Sequence, residues 1–211
     1  MTMRRTRWTR AVLLRAAITL AAACSATPTR FYMLSSVADR APAPASSEGP
    51  ALVIALGPVS LPSYIDRPQI VTRGSGNAVE LGTFDHWAGN LEDMIPRVLA
   101  ADLAAELPGD RIVAFPAVVP PTFDYRIAVD VARFDVSPEG AATVAASWQF
   151  YDVAGGKALL MRDTTVETQA MGKSYEQRVA ALSRGLGDLS DAIAQDVGRL
   201  PRDAKAARSA R

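Results

Sequence analysis

Residues 124–168 read DYRIAVDVARFDVSPEGAATVAASWQFYDVAGGKALLMRDTTVET, and this stretch decides the fold. Ala142, Val144, Ala146, Trp148 and Phe150 alternate with residues such as Thr143, Ser147 and Gln149. A period of two turns one set toward a core and the other toward water, the pattern of a half-covered β-strand. Just upstream, Tyr125, Ile127, Val129 and Val131 alternate in the same way, but the next apolar residues are Phe134 and Val136. That slip of parity predicts one extra residue, a β-bulge, near Ala132–Arg133. Pro138-Glu139-Gly140 and Ala154-Gly155-Gly156-Lys157 are turn sequences, so a third strand follows from Ala158 to Thr168.

Working outward, a helix is expected from about Ser174 to Leu200. Ser174 and Gln177 form a capping box, and Val179, Leu182, Leu186, Leu189, Ile193, Val197 and Leu200 recur at spacings of three and four. Burying each is worth about 1.5–3 kcal/mol, more than the ~1 kcal/mol that each of Gly185 and Gly187 costs a helix. The commoner use of such a stripe is to cover the chain's own sheet; a coiled coil is the alternative. A second helix spans roughly Ala88–Leu107, with Leu91, Ile95, Val98, Leu99, Leu103 and Leu107 on one face. Pro96 fits it if the regular helix begins near Glu92, or else kinks it. Phe31–Leu34, Ala51–Leu56 (ended by Gly57-Pro58) and Arg111–Phe115 are further strand candidates, and Gln69–Arg73 pairs with Ala78–Leu81 as a hairpin across Gly74-Ser75-Gly76-Asn77. Val37–Pro50, rich in Ala, Pro and Ser, is an exposed loop too short to separate two domains. The expectation is one α/β domain over residues 31–200: a mixed, largely antiparallel sheet, a meander of about four strands between the helices with Arg111–Phe115 as its first, and two main helices packed on it.

Composition agrees. The chain has 211 residues, 49% of them hydrophobic and 21% charged, which excludes a disordered chain, a collagen-like repeat and a polytopic membrane protein. A single cysteine and a single histidine exclude an internal disulfide and His/Cys zinc sites. The net charge of +1 hides segregation: residues 1–30 carry six arginines and no acid, 199–211 carry five bases and one acid, and 31–198 hold 12 bases against 21 acids. An acidic body with basic ends is a poor nucleic-acid binder. Residues 201–211 contain nothing apolar larger than alanine apart from Pro201, and are expected to be a disordered basic tail, dispensable for folding.

The N-terminus reads as an address. Met1–Arg10 is basic, and the longest uncharged run, Ala16–Thr29, is 14 residues, short of the ~18–20 of a spanning helix. Residues 1–23 are therefore expected to be a secretory signal. The sole cysteine closes it in Leu20-Ala21-Ala22-Ala23-Cys24, which resembles the lipobox of bacterial lipoproteins, although Ala21 stands where leucine is usual. Cys24 is the expected lipidation site, with 24–30 as a tether; the alternative is a plain cleavage site and a soluble periplasmic protein. Ser25 after the cysteine, where Asp is absent, implies sorting to the outer membrane.

Catalytic motifs are missing. Gly172-Lys173-Ser174 has the tail of a P-loop but Glu167 where its first glycine belongs, and reads as a helix start. Gly74-Ser75-Gly76 is a hairpin turn, and no nucleophile elbow occurs. His86, in Phe84-Asp85-His86-Trp87, is the one general-base candidate, and an Asp cap with aromatic packing at a helix start explains it equally well. An envelope hydrolase using His86 is the weakest reading. No cofactor, metal or enzymatic activity is expected.

Leu56–Arg73, LGPVSLPSYIDRPQIVTR, resembles the hallmark of the PqiC-like family, the ABC-type transport auxiliary lipoproteins of membrane-integrity transporters. Phe31-Tyr32-Met33-Leu34 is similar to that family's opening strand, and Trp87-Ala88, Leu91 and Arg97-Val98-Leu99-Ala100 to its helix, with Gly89-Asn90 where Glu-Pro is common. Asp124-Tyr125-Arg126 and the Trp148 strand are similar to its meander. The resemblance implies a non-catalytic accessory lipoprotein on the periplasmic face of the outer membrane, working with an MCE-domain (PqiB-like) protein in lipid transport between the two membranes. A stand-alone envelope lipoprotein binding a lipid or other apolar ligand is the alternative, and a homo-oligomer is compatible with either. Pro58, Pro62 and Pro68 stiffen the hallmark segment, which makes Tyr64, Asp66, Arg67, Gln69 and Arg73 the candidate partner-binding residues; the competing account is a local Asp66–Arg67 ion pair that merely orients the loop.

Overall fold

The bulge expected near Ala132–Arg133 is the pivot of the sheet. In a computed structural model describing residues 27–37, 49–117 and 122–202, the strands are β1 (Arg30–Tyr32), β2 (Val53–Ser60), β3 (Gln69–Arg73), β4 (Val79–Trp87), β5 (Arg111–Ala114), β6 (Tyr125–Val136), β7 (Ala141–Asp152) and β8 (Lys157–Gln169). The helices are α1 (Leu91–Glu106) and α2 (Tyr175–Val197). The expected signal, Cys24, most of the 37–50 loop and the tail beyond Arg202 lie outside the described residues.

β6, β7 and β8 form the antiparallel meander, and the β6–β7 register steps from Val131↔Ala146 to Arg133↔Ala145, one residue being extra in β6. The other edge of β6 is divided. β2 runs parallel to its first half, Tyr125–Asp130, and β3 reaches its far end at Thr72↔Val136. β5 extends the first branch, β4 and then β1 the second, so the eight-stranded sheet forks at β6. The sheet is antiparallel by length of ladder, yet four of its seven pairings are parallel. This corrects the expected place of residues 111–115: α1 carries the chain back across the sheet, so β5 lies parallel to β2 and is not a member of the meander.

Three further expectations change. β2 does not stop at Gly57-Pro58 but runs to Ser60, its ladder slipping between Leu56 and Val59. Gly57 makes this bulge affordable only as glycine: its φ is +134° and a Cβ would lie 2.8 Å from the Phe115 carbonyl oxygen. Residues 84–87 belong to β4, not to a helix start. α1 begins at Leu91 after Asn90, which leaves Pro96 as its sixth residue, past the first turn.

Both helices lie on the face toward which Ile127, Val129, Val144 and Phe150 point, and all seven apolar residues of the expected stripe are buried, although α2 ends at Val197 and Leu200 follows it. Ser174 and Gln177 form the capping box expected of them. At Gly185 α2 comes close to the sheet, since a Cβ there would meet Val144 Cγ2 at 2.8 Å; the helix-propensity cost of this glycine is the condition for close packing.

Where α1 meets α2, the Ser190 hydroxyl donates to Glu106 (2.9 Å). Burial, and after it the hydrogen bond with Asp191, push the Glu106 carboxyl from 4.5 up to about 8. Its folded value exceeds its unfolded one, so the native state keeps a proton that the unfolded chain releases, and stability falls as pH rises between those two values. Glu106→Gln removes that loss. Because the group is only half buried, the gain at about pH 9 should be roughly 1–2 kcal/mol. Melting curves of both proteins against pH should converge in acid and separate in base; a constant offset would contradict this account.

Candidate functional site: the cleft beside the forked strand

The hallmark segment occupies the fork. β2 ends opposite Asp130, β3 rejoins β6 at Val136, and residues 61–68 must cross between them. Pro62 and Pro68 have no N–H to give a ladder, so the chain turns instead, with Ile65 N–H bonded to the Pro62 carbonyl (3.1 Å) and Arg67 N–H to the Ile65 carbonyl (2.8 Å). Ile65 is sunk into the core. Tyr64 closes the gap: its hydroxyl accepts from Phe134 N–H (3.2 Å) and donates to Asp135 Oδ2 (2.9 Å). The backbone N–H that the fork deprives of a strand partner is thereby satisfied. Burial, more than any other cause, raises the Tyr64 phenol above its usual value, so it keeps the proton it donates.

Asp135 is the centre of this arrangement. Its side chain is 1% exposed and takes Arg133 Nε at 3.0 Å and Arg73 Nε at 3.2 Å in addition to Tyr64. A buried carboxylate is tolerated when it is paired and fully hydrogen-bonded. The structure therefore divides the five candidate residues. Tyr64 and Arg73 are turned inward onto Asp135 and hold the fork, and the half-buried Gln69 opens β3. Tyr64 is thus not an exposed anchor on a loop. Asp66 and Arg67 are exposed, and neither side chain pairs with the other or with another described residue, so the local ion pair is not formed.

Asp66, Arg67 and Pro68 form one wall of a cleft of about 270 Å³ whose other wall is Trp87, Ala88, Gly89, Asn90 and Leu91. Trp87 N–H bonds to the Pro68 carbonyl (2.7 Å) and Ala88 N–H to the Tyr32 carbonyl (2.8 Å), so the hallmark segment, the start of α1 and β1 are stitched together at one place. Trp87 itself points inward, its ring 6.5 Å from that of Phe134. Asp66 and Arg67 are the charged residues of its lining, and Asn90 faces the same space from the other wall.

The Asp85–His86 pair is not a catalytic couple. Neighbours on a strand face opposite ways: the Asp85 carboxylate accepts from Tyr32 Oη at 2.7 Å and pairs with Arg30 at 3.0 Å, while the His86 ring stands edge-on against Phe31. Among the described residues no group of His, Cys, Asp or Glu could hold a metal ion, and no helix is long and apolar enough to cross a membrane. Asp135, with Arg133, is the structural centre that the sequence reading left out; two charged residues flanking the buried Phe134 were its only signal.

A mixed forked sheet with two helices on one face and a cleft beside its fork defines a protein of the α/β class. The chain belongs to the family of ABC-type transport auxiliary lipoprotein components, whose model matches residues 32–194. The crystal structure of an uncharacterized protein superposes with a TM-score of 0.67 at 20% identity, covering 81% of this chain and 99% of the other. That of a Xanthomonas campestris protein superposes with a TM-score of 0.63 at 21% identity, covering 80% and 93%. At these identities the likeness establishes the fold. No curated protein matches the sequence significantly.

Proposed function

We propose that this chain is a periplasmic lipoprotein, acylated at Cys24 and held on the periplasmic face of the outer membrane, that serves as a non-catalytic accessory of an MCE-type system carrying lipid between the membranes. The supporting observation is convergence. Residues 66–68 of the hallmark segment and residues 87–91 wall one cleft, Ala88 N–H ties Tyr32 of the opening strand to it, and Arg67 lines it with no side-chain partner among the described residues. Residues without a structural task on a braced segment are available to a partner. In this reading Asp66 and Arg67 touch the MCE protein directly, whereas Tyr64, Gln69 and Arg73 fix where they stand.

The division can be measured with two variants. Arg67→Glu should leave the melting temperature within a degree or so, because exposed charges contribute little to stability, yet should abolish co-purification with the MCE partner through charge reversal. Tyr64→Phe should cost about 1–3 kcal/mol, since it orphans the Phe134 N–H and removes a donor from buried Asp135. If Arg67→Glu melts normally and still binds, docking lies elsewhere. If it unfolds, Arg67 is structural.

A further inference from the structure

We propose that the corner formed by β1 and β4 is the surface on which the domain rests against the phospholipid leaflet holding its N-terminus, an inference that builds on acylation at Cys24. Phe31 and Met33 are 65% and 64% exposed, and Phe84 is 41% exposed. They are not leftovers of the core. Tyr32 and Asp85 are the residues that turn inward here, bonded to each other, and Trp87 packs in the core. Strand alternation therefore sends Phe31 and Met33 outward, along with Phe84 and His86, and the Phe31–His86 ring contact (centroids 6.1 Å apart, planes at 83°) confirms that the two strands share this outer face. Beside Met33 a groove of about 350 Å³, in which Val37, Val179 and Ala180 stand together with the charged Glu176 and Arg184, lies between the patch and α2.

The length of chain before β1 identifies the occupant. Phe31 is seven positions after Cys24, with residues 25–30 between them, so the patch can stand no more than about 25 Å from the acylated residue and on average about 15 Å. It is the part of the domain nearest the bilayer. Charge does not supply the attraction, because residues 31–198 carry 21 acids against 12 bases and anionic headgroups would repel them. Apolar side chains entering the interface supply it instead, and the tether keeps their effective concentration at the surface high, so a contact too weak to hold a free domain is enough.

The test uses the full lipidated chain reconstituted into phosphatidylethanolamine/phosphatidylglycerol vesicles. Cys24 is the only cysteine, and once acylated it does not react with a thiol dye; labelling of the unsubstituted chain, or its recovery as a soluble protein, would show that the lipid anchor is absent and would overturn both readings. In Met33→Cys and Phe84→Cys, a polarity-sensitive dye should be quenched several-fold more by brominated lipid than in Met161→Cys, which lies on exposed β8. Equal quenching at all three positions in membrane-bound protein overturns the seat and leaves the anchor standing. Dye at Met33 that is shielded from water but indifferent to brominated lipid also overturns it, and shows the patch covered by protein, a second copy included.

Discussion

Removing everything after Leu200 should lower the melting temperature by roughly 6–12 °C, the equivalent of about 3 kcal/mol in a domain of this size. Arg202, expected to lie in a dispensable tail, is 7% exposed and grips Asp110 with two nearly parallel bonds of 2.8 and 2.7 Å, and its guanidinium also reaches the Pro50 carbonyl (3.2 Å). Asp110 is fully buried at its side chain and accepts from Leu52 N–H as well. One residue earlier, the Pro201 carbonyl accepts from the Tyr125 hydroxyl (2.6 Å). Truncation leaves a buried carboxylate without its cation, the costly way to break such a pair. Arg202→Ala should reproduce most of the loss, and adding Asp110→Asn should recover part of it by removing the stranded charge. A truncated chain that melts like the full one would show that residues 201–202 do not belong to the domain.

Leu186→Asp should prevent folding. Leu186 is fully buried on α2, beside the Gly185 contact with β7. Losing the leucine costs about 2–5 kcal/mol, and an unpaired carboxylate in the same place costs several more. Since a domain has only about 5–15 kcal/mol in all, the variant should be degraded in cells and insoluble on purification. Gln195→Asp, on the exposed face of the same helix, should be tolerated. Abundance on immunoblot and a thermal melt decide the matter; a soluble Leu186→Asp protein with a native melt would mean that α2 does not cover the sheet.

These two residues also show what could be read from the sequence. Leu186 belongs to a stripe whose period is set by the helix itself, so a local window suffices, and the same holds for the alternation in β7 and the parity slip at the β6 bulge. Arg202 answers to Asp110, 92 positions away, and nothing local distinguishes it from the bases that follow. The fork was invisible for the same reason: β2 and β3 each show an apolar run, but no pattern says that they share one edge of β6, or that Tyr64 fills the space between. The cleft was half legible. Its three stretches could be picked out by resemblance, whereas their meeting at the Pro68 and Tyr32 carbonyls depends on parallel pairing of β1 with β4, which a three-residue strand cannot advertise.

That parallel pairing has a mechanical meaning. A pull on the chain's N-terminus draws β1 toward Thr29, while resistance at the cleft draws β4 the opposite way, toward Leu91. In a parallel pair this geometry is shear: the ladder, the Tyr32–Asp85 bond and the Arg30–Asp85 pair bear the load together instead of opening one after another. The line of force runs from β1 through the end of β4 into Pro68, and it bypasses α2 and the meander. A chain strung between a membrane and a partner could therefore carry tension without straining the core that keeps it folded.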